Sequence, residues 1–248
     1  MRGLFVTGTD TGVGKSVLSA ALLAAMKADG EAVAAHKPAV SGLDEPQPVG
    51  ADGVAWPPDH QLLGAAAGMP PDEVAPLRFG PAVSPQLAAE LAGEPLDRTR
   101  LLQAADAAVR DAELAHATLI VEGAGGLLSP LAEEFTVCDL AVALRLPLLI
   151  AARPGLGTIN HALLTLQSAR AYGLDVRAVV ITPWPQQPSR LERSNLETIR
   201  RLGFVEVATL PPAAGPDPRQ LALAAAALPW RRWLGERPAV AQPAQPPA

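Results

Sequence analysis

The chain has 248 residues, 49% of them hydrophobic and 18% charged, with a formal net charge of -5. That length builds one sizeable domain or two small ones, and the balance is that of a globular protein. The acidic charge and the lack of any Lys/Arg run argue against nucleic acid as the main partner, which calls for a basic footprint.

Aromatics are scarce at 4%, so Leu, Val, Ala and Ile must fill the core. Cys138 is the only cysteine, which excludes an intramolecular disulfide. His36, His60, His116 and His161 are scattered, with no Cys/His spacing of a zinc site. The start, MRGLFVTG, runs straight into a strand pattern without a leader-like apolar region. LAVALRLPLLIAA is interrupted by Arg145 and Pro147, short of the roughly 18 apolar residues of a membrane span. A cytoplasmic protein without membrane or nucleic-acid partners is expected.

Short β-like runs alternate with longer helical ones. LFVTG (4–8) reads as a buried strand. Residues 15–29 follow with helical spacing, Leu18, Leu22, Leu23 and Met26 on one side and Gly30 as a stop. EAVAAHKP (31–38) is a second strand closed by proline, and 41–58 is a long irregular segment rich in Pro, Gly and Asp. Such a loop is uncommon in a compact domain and often functional. Helices are predicted near 59–67, 85–93, 97–114, 138–145, 158–172, 189–202 and 217–227. Strands are predicted at 117–123, 147–154, 176–182 and 204–210. Strands separated by helices imply an α/β domain, its sheet mostly parallel with helices on both faces. Residues 1–235 read as one domain, and the Pro/Ala-rich 236–248 as a disordered tail.

In open parallel sheets, ligands bind beyond the carboxyl ends of the strands. Six segments should therefore share one edge: TGTDTGVGKS, HKPAVSG, VEGAGG, ARPGLGTIN, ITPWP and LPPAAG. The first is close to the phosphate-binding pattern G-x-x-x-x-G-K-[ST]. Its glycine is misplaced, however: Thr9 stands where glycine is required and Gly8 lies one position early. Successive backbone N–H groups at a helix start still make an anion site. Lys15 would reach the outer phosphates, and the Ser16 hydroxyl would hold Mg²⁺. Glu122, at the tip of a buried strand before glycines, is placed for a second metal-facing carboxylate. Lys37 has two readings, a neutraliser of developing negative charge or a plain exposed strand-end lysine. These features point to Mg-ATP. They leave open an enzyme of small-molecule metabolism or a switch-type partitioning ATPase acting through macromolecular partners.

The combination VTGTDTGVGKS, KPAVSG, PAVSPQLAAE, VEGAGGLLSP and GTINHALLT resembles the dethiobiotin synthetase family, in order, from about residue 4 to 215. The displaced Gly8 looks like that family's normal loop. Partitioning ATPases carry a signature lysine where this chain has Asp10. The resemblance implies a single-domain P-loop NTPase fold, a homodimer, and ring closure of 7,8-diaminopelargonate with CO₂ (or bicarbonate) and ATP. It implies ATP contacts from Thr11, Gly12, Val13, Gly14, Lys15, Ser16 and Val17. Further ATP contacts are implied from Asp59, Glu122, Gly123, Ala124, Gly125, Thr182, Pro183, Pro211, Pro212 and Ala213. Ser16, Glu122 and Asp59 would hold Mg²⁺, with Asp52 as the alternative to Asp59. Lys15 and Lys37 would be catalytic. Thr11, Lys37, Ser41, Ser84, Pro85, Gly125 and Gly126 would meet the substrate, whose carboxylate would be received by Gly157, Thr158, Ile159 and Asn160 of the second subunit. Three departures stand out. Gln86 replaces a histidine of several relatives, Thr182 replaces an adenine-reading Asn of some, and LPPAAG lacks the acidic residue that some offer to the ribose. The nucleotide base is therefore expected to be weakly read. Cys138 is expected to be a packed helix residue, Trp56 and Trp184 either to pack on the surface or, from loops near the active edge, to cover the site, and Trp230 and Trp233 to dock the C-terminal segment.

Overall fold

The computed structural model describes residues 1–47, 49, 53 and 55–235; the expected tail 236–248 and Asp52 lie outside the described residues. Six parallel strands form one sheet in the order β2-β3-β1-β6-β7-β8. They are β1 (Gly3–Gly8), β2 (Val33–His36), β3 (Thr118–Gly126), β6 (Leu148–Ala152), β7 (Val176–Ile181) and β8 (Glu206–Thr209). Between β3 and β6 lies a small antiparallel hairpin, β4 (Pro130–Ala132) and β5 (Phe135–Thr136).

The strands are buried on both faces, and their residues divide between two cores by simple alternation. Leu4, Val6, Ile120, Leu149 and Val180 face one core, built with α1 (Lys15–Ala28), α2 (Asp59–Ala67), α9 (Pro218–Ala225) and α10 (Trp230–Trp233). Phe5, Leu119, Val121, Ile150 and Ile181 face the other. That second core is built with α4 (Pro85–Leu91), α5 (Arg98–Leu114), α6 (Val137–Leu144), α7 (Thr158–Ala171) and α8 (Arg190–Gly203). Each fully buried Leu, Val or Phe contributes roughly 1.5–3 kcal/mol.

Helix starts follow local chemistry. Thr136 with Asp139, and Ser189 with Glu192, form capping boxes at α6 and α8. Ser84, with Pro85 at the first helical position, opens α4. Most predicted elements appear within a few residues of their expected bounds. Three were not expected: the turn α3 (Pro71–Val74), the β4–β5 hairpin and α10. Each is too short to show a hydrophobic period, and each is held by tertiary contacts. Trp230 and Trp233 do dock the C-terminal segment, and the Trp233 indole N–H donates to Glu206 at 3.1 Å. Cys138 is buried in α6, where burial pushes its thiol up to about 11.

Candidate active site

Because all six strands run the same way, the loops after them share one edge of the sheet. The loop from Gly8 to Gly14 begins there and ends at α1. Gly8 is required for a steric reason. A Cβ on it would lie 2.8 Å from Val13 Cγ2, 2.9 Å from the Asp10 carbonyl and 3.1 Å from Lys15 Cδ. The chain curls back over Gly8 one residue earlier than in the standard pattern. Gly14 caps α1 at φ 88, in the left-handed region that favours glycine, and abuts the Thr182 methyl. Lys15 Nζ closes over the loop to donate to the Asp10 carbonyl at 2.9 Å. The Asp10 carboxylate accepts from the Thr11 N–H at 2.7 Å and lies 3.8 Å from Arg153.

Three elements converge beside this loop. Glu122, on β3, is fully buried. Its Oε1 accepts from Ser16 Oγ at 2.8 Å and from Lys37 Nζ at 2.5 Å. Lys37 Nζ also meets Asp59 Oδ2, at the start of α2, at 2.7 Å. Lys37 is only 4% exposed, so it is not a solvated strand-end lysine. Burial alone would lower its pKa. The Asp59 and Glu122 carboxylates outweigh burial and hold it above the ordinary lysine range. At Asp59, burial opposes the charge, but Lys37 and a hydrogen bond from Ser16 draw the carboxyl below its usual range. Lys15 is brought down to about 8 by burial, partly offset by Glu122.

A cleft of about 710 Å³ opens over this cluster. Thr11, Gly12, Gly14, Lys15, Ser16, Val17, Lys37, Ser41, Asp59, Ser84, Pro85, Ala124 and Gly125 all line it. Val13 is buried beneath the loop, and Gly123 packs against Val137 within β3. Gly126 is not among the lining residues, but its N–H donates at 2.8 Å to Ser129 Oγ, which is. Thr182 is buried under Gly14, with Pro183 following in a cis peptide. Pro211, Pro212 and Ala213 stand after β8 on the same edge, outside the cleft's lining. Gly157, Thr158, Ile159 and Asn160 begin α7, also outside this chain's cleft.

Several lining residues were not anticipated: Ala39, Gly42, Gln47, Leu62 and Ser129. Ser129 had a legible signal, three residues beyond the Gly125-Gly126 pair. Trp56 lines the cleft as well as packing on the core beside α1. Gln86 does not line the cleft; its amide donates along α4 to Glu90 at 3.1 Å.

The fold and this cleft define an α/β P-loop nucleotide-binding enzyme. A family model described as an AAA domain matches residues 2–216. The chain is 40% identical over 215 residues to the ATP-dependent dethiobiotin synthetase BioD of Anaeromyxobacter sp. (strain Fw109-5), covering 83% of this chain and 91% of that protein. It is 36% identical over 214 residues to the BioD of Bacillus subtilis (strain 168), covering 86% and 87%. The chain belongs to the ATP-dependent dethiobiotin synthetase family, a family of ATP-dependent ligases. Among solved structures it is similar to the MinC:MinD cell division protein complex of Aquifex aeolicus, with a TM-score of 0.51, 13% identity, and 98% and 99% of the two chains covered. That likeness shows the fold alone. No helix among the described residues is long and apolar enough to cross a membrane.

Proposed function

We propose that this chain closes the ring of dethiobiotin from 7,8-diaminopelargonate, CO₂ and ATP, as a cytoplasmic homodimer in biotin biosynthesis. The observation that carries the reading is Lys37. Its ammonium is fixed between Glu122 and Asp59, beside the phosphate loop, in a cleft whose outer wall holds Ser41 and Ser84. This supports a reading in which a phosphate site and an organic-substrate wall share one cationic centre.

The donor set fits Mg²⁺. Ser16, Asp59 and Glu122 supply only oxygens, as this ion prefers, and triphosphate and water complete such sites. Glu122 Oε2 is buried and makes no hydrogen bond among the described residues, so it has a lone pair to give. Bound there, Mg²⁺ would neutralise charge on the β- and γ-phosphate oxygens.

The residues divide the remaining work. Backbone N–H groups from Thr11 to Lys15 cradle the phosphates, and Lys15 meets their outer oxygens. One substrate amine adds to CO₂ and loses a proton, giving a carbamate. Lys37 stabilises this anion and the phosphoryl charge as the carbamate oxygen attacks the γ-phosphorus and ADP leaves. The second amine then attacks the carbamoyl carbon, phosphate departs, and the ring is closed after loss of a proton. Ser41 and Ser84 orient the diamine end. The start of α7, Gly157 to Asn160, receives the substrate carboxylate from the neighbouring subunit, as a helix N-terminus favours an anion. Leu156, 85% exposed beside it, supplies apolar surface for that contact.

The test is direct. Diaminopelargonate, bicarbonate and Mg-ATP are supplied, and dethiobiotin is sought by mass spectrometry. Its formation supports the reading. No product, with ATP hydrolysis stimulated instead by a macromolecular partner, overturns it in favour of a partitioning-type ATPase.

A further inference from the structure

Three serines line the outer part of the cleft, and their hydroxyls do not offer the same chemistry. Ser41 Oγ lies 2.7 Å from the Val83 carbonyl. A carbonyl can only accept, so the Ser41 proton is committed there and only lone pairs remain for a ligand. Ser129 is the reverse. Its Oγ lies 2.8 Å from the Gly126 N–H, which can only donate. Its own proton has no acceptor among the described residues, so this hydroxyl can donate to whatever occupies the cleft. Ser84 also accepts a backbone N–H, from Leu87, but at 3.4 Å and as the cap of α4.

Ser129 is held in place as well. Its N–H donates to the Gly126 carbonyl at 3.1 Å, and its carbonyl accepts from the Val137 N–H at 3.0 Å. The residue is thereby pinned between the glycine turn and the start of α6. Gly125, at φ 67, leaves the space beside it bare: a Cβ there would lie 2.4 Å from Ser129 Oγ and 3.6 Å from Thr11 Oγ1. Two hydroxyls, one from the phosphate loop and one from the entry to the β4–β5 hairpin, thus flank one glycine. A donor fixed before the ligand arrives costs no reorganisation, and it favours an oxygen that carries or gains negative charge.

The proposed reaction leaves one such oxygen without a donor. The phosphates have the backbone N–H groups and Lys15. A carbamate has two oxygens, and only one of them attacks phosphorus. The other keeps part of the negative charge, and gains more when the second amine attacks the carbamoyl carbon.

We propose that Ser129 is a further substrate-binding residue, its hydroxyl donating to the carbamate oxygen that does not attack phosphorus. The inference rests on the ligase reading and deepens it, because the wall opposite Ser41 then recognises the carboxylated amine rather than the diamine as such.

The experiment separates the two states of the substrate in the full chain. Diaminopelargonate binding is measured by calorimetry in CO₂-free buffer, and the bound carbamate by ¹³C NMR after adding ¹³C-bicarbonate without ATP. Ser129→Ala should weaken carbamate binding by about tenfold, the scale of one hydrogen bond to a charged group. The affinity for the diamine alone, the affinity for ADP and the melting temperature should stay those of the parent. Ser129→Thr keeps the hydroxyl and should restore the carbamate signal. The proposal is overturned if Ser129→Ala binds carbamate as the parent does. It is equally overturned if that variant loses diamine or ADP affinity by the same factor, as a mere prop for the Gly125-Gly126 turn would. A parent that makes dethiobiotin while Ser129→Ala is unaffected overturns this inference alone. A parent that yields neither bound carbamate nor dethiobiotin overturns the ligase reading, and this inference with it.

Discussion

Replacing Lys37 by methionine deletes the ammonium that touches both Glu122 and Asp59 while keeping the length of the stem. The two carboxylate oxygens contact the same nitrogen, so they lie within about 5 Å of one another. At an effective dielectric of about 20, two like charges at that distance repel by roughly 3 kcal/mol. Breaking a buried ion pair by removing one partner typically costs about 3–5 kcal/mol. Asp59 is partly exposed and Lys15 stays nearby, which places this site at the low end, about 3 kcal/mol. For a domain of this size that is a fall in Tm of roughly 6–12 °C. Thermal unfolding of the nucleotide-free variant checks it. A second reading comes from Mg²⁺ alone, which should raise the Tm of the variant more than that of the parent, because two carboxylates have lost their cation. Turnover should drop by about 10²–10³, the scale for removing one electrostatic stabiliser. A variant that melts within about 2 °C of the parent, and is stabilised no further by Mg²⁺, would refute the description of this cluster.

Asp59→Asn should raise the Mg²⁺ needed for half-maximal turnover by about tenfold or more, since carboxylate charge sets affinity at such sites; Asp52→Asn should leave it unchanged, and a Mg²⁺ titration of both separates them. Gly8→Ala places a methyl against Val13 and the Asp10 carbonyl, so nucleotide affinity measured by calorimetry should weaken by roughly tenfold or more. With Thr182 buried under Gly14, where some relatives are expected to carry a base-reading Asn, the preference for ATP over CTP or GTP should stay below about 100-fold, roughly 2.7 kcal/mol; a larger ratio in steady-state kinetics would reject that. Burial brings His36 down to about 4 from an unfolded value of 6.5. The unfolded chain therefore binds the extra proton, and stability present above pH 6.5 should be lost by about 3 kcal/mol as the pH falls towards 4. Urea unfolding of His36→Leu should lack that slope.

Much of the site was legible because its chemistry is local. A strand, a glycine turn and a helix start lie within residues 3–16, and their order alone defines an anion cradle. Glu122 was equally readable, since a charge at the end of the apolar run ATLIV needs a polar destination. The strand-and-helix alternation fixed the parallel sheet in the same way, with the six loops on one edge. Elements such as α3 and the β4–β5 hairpin gave no such signal, being a turn or less in length.

Lys37 marks the boundary between the two kinds of knowledge. From sequence, a lysine at the end of β2 was as readily an exposed charge as a catalytic one. Its burial depends on α2 arriving from across a long loop, so that Asp59 meets an ammonium that Glu122 already holds from β3. The same holds for Trp56, and for His36, whose unmet nitrogens are visible only once the fold buries them. Sequence determined the residues that local spacing binds together: the phosphate loop, the strand tips and the family pattern. Tertiary structure alone decided which charges share a buried space, because that depends on segments distant in the chain and on the solvent they exclude between them.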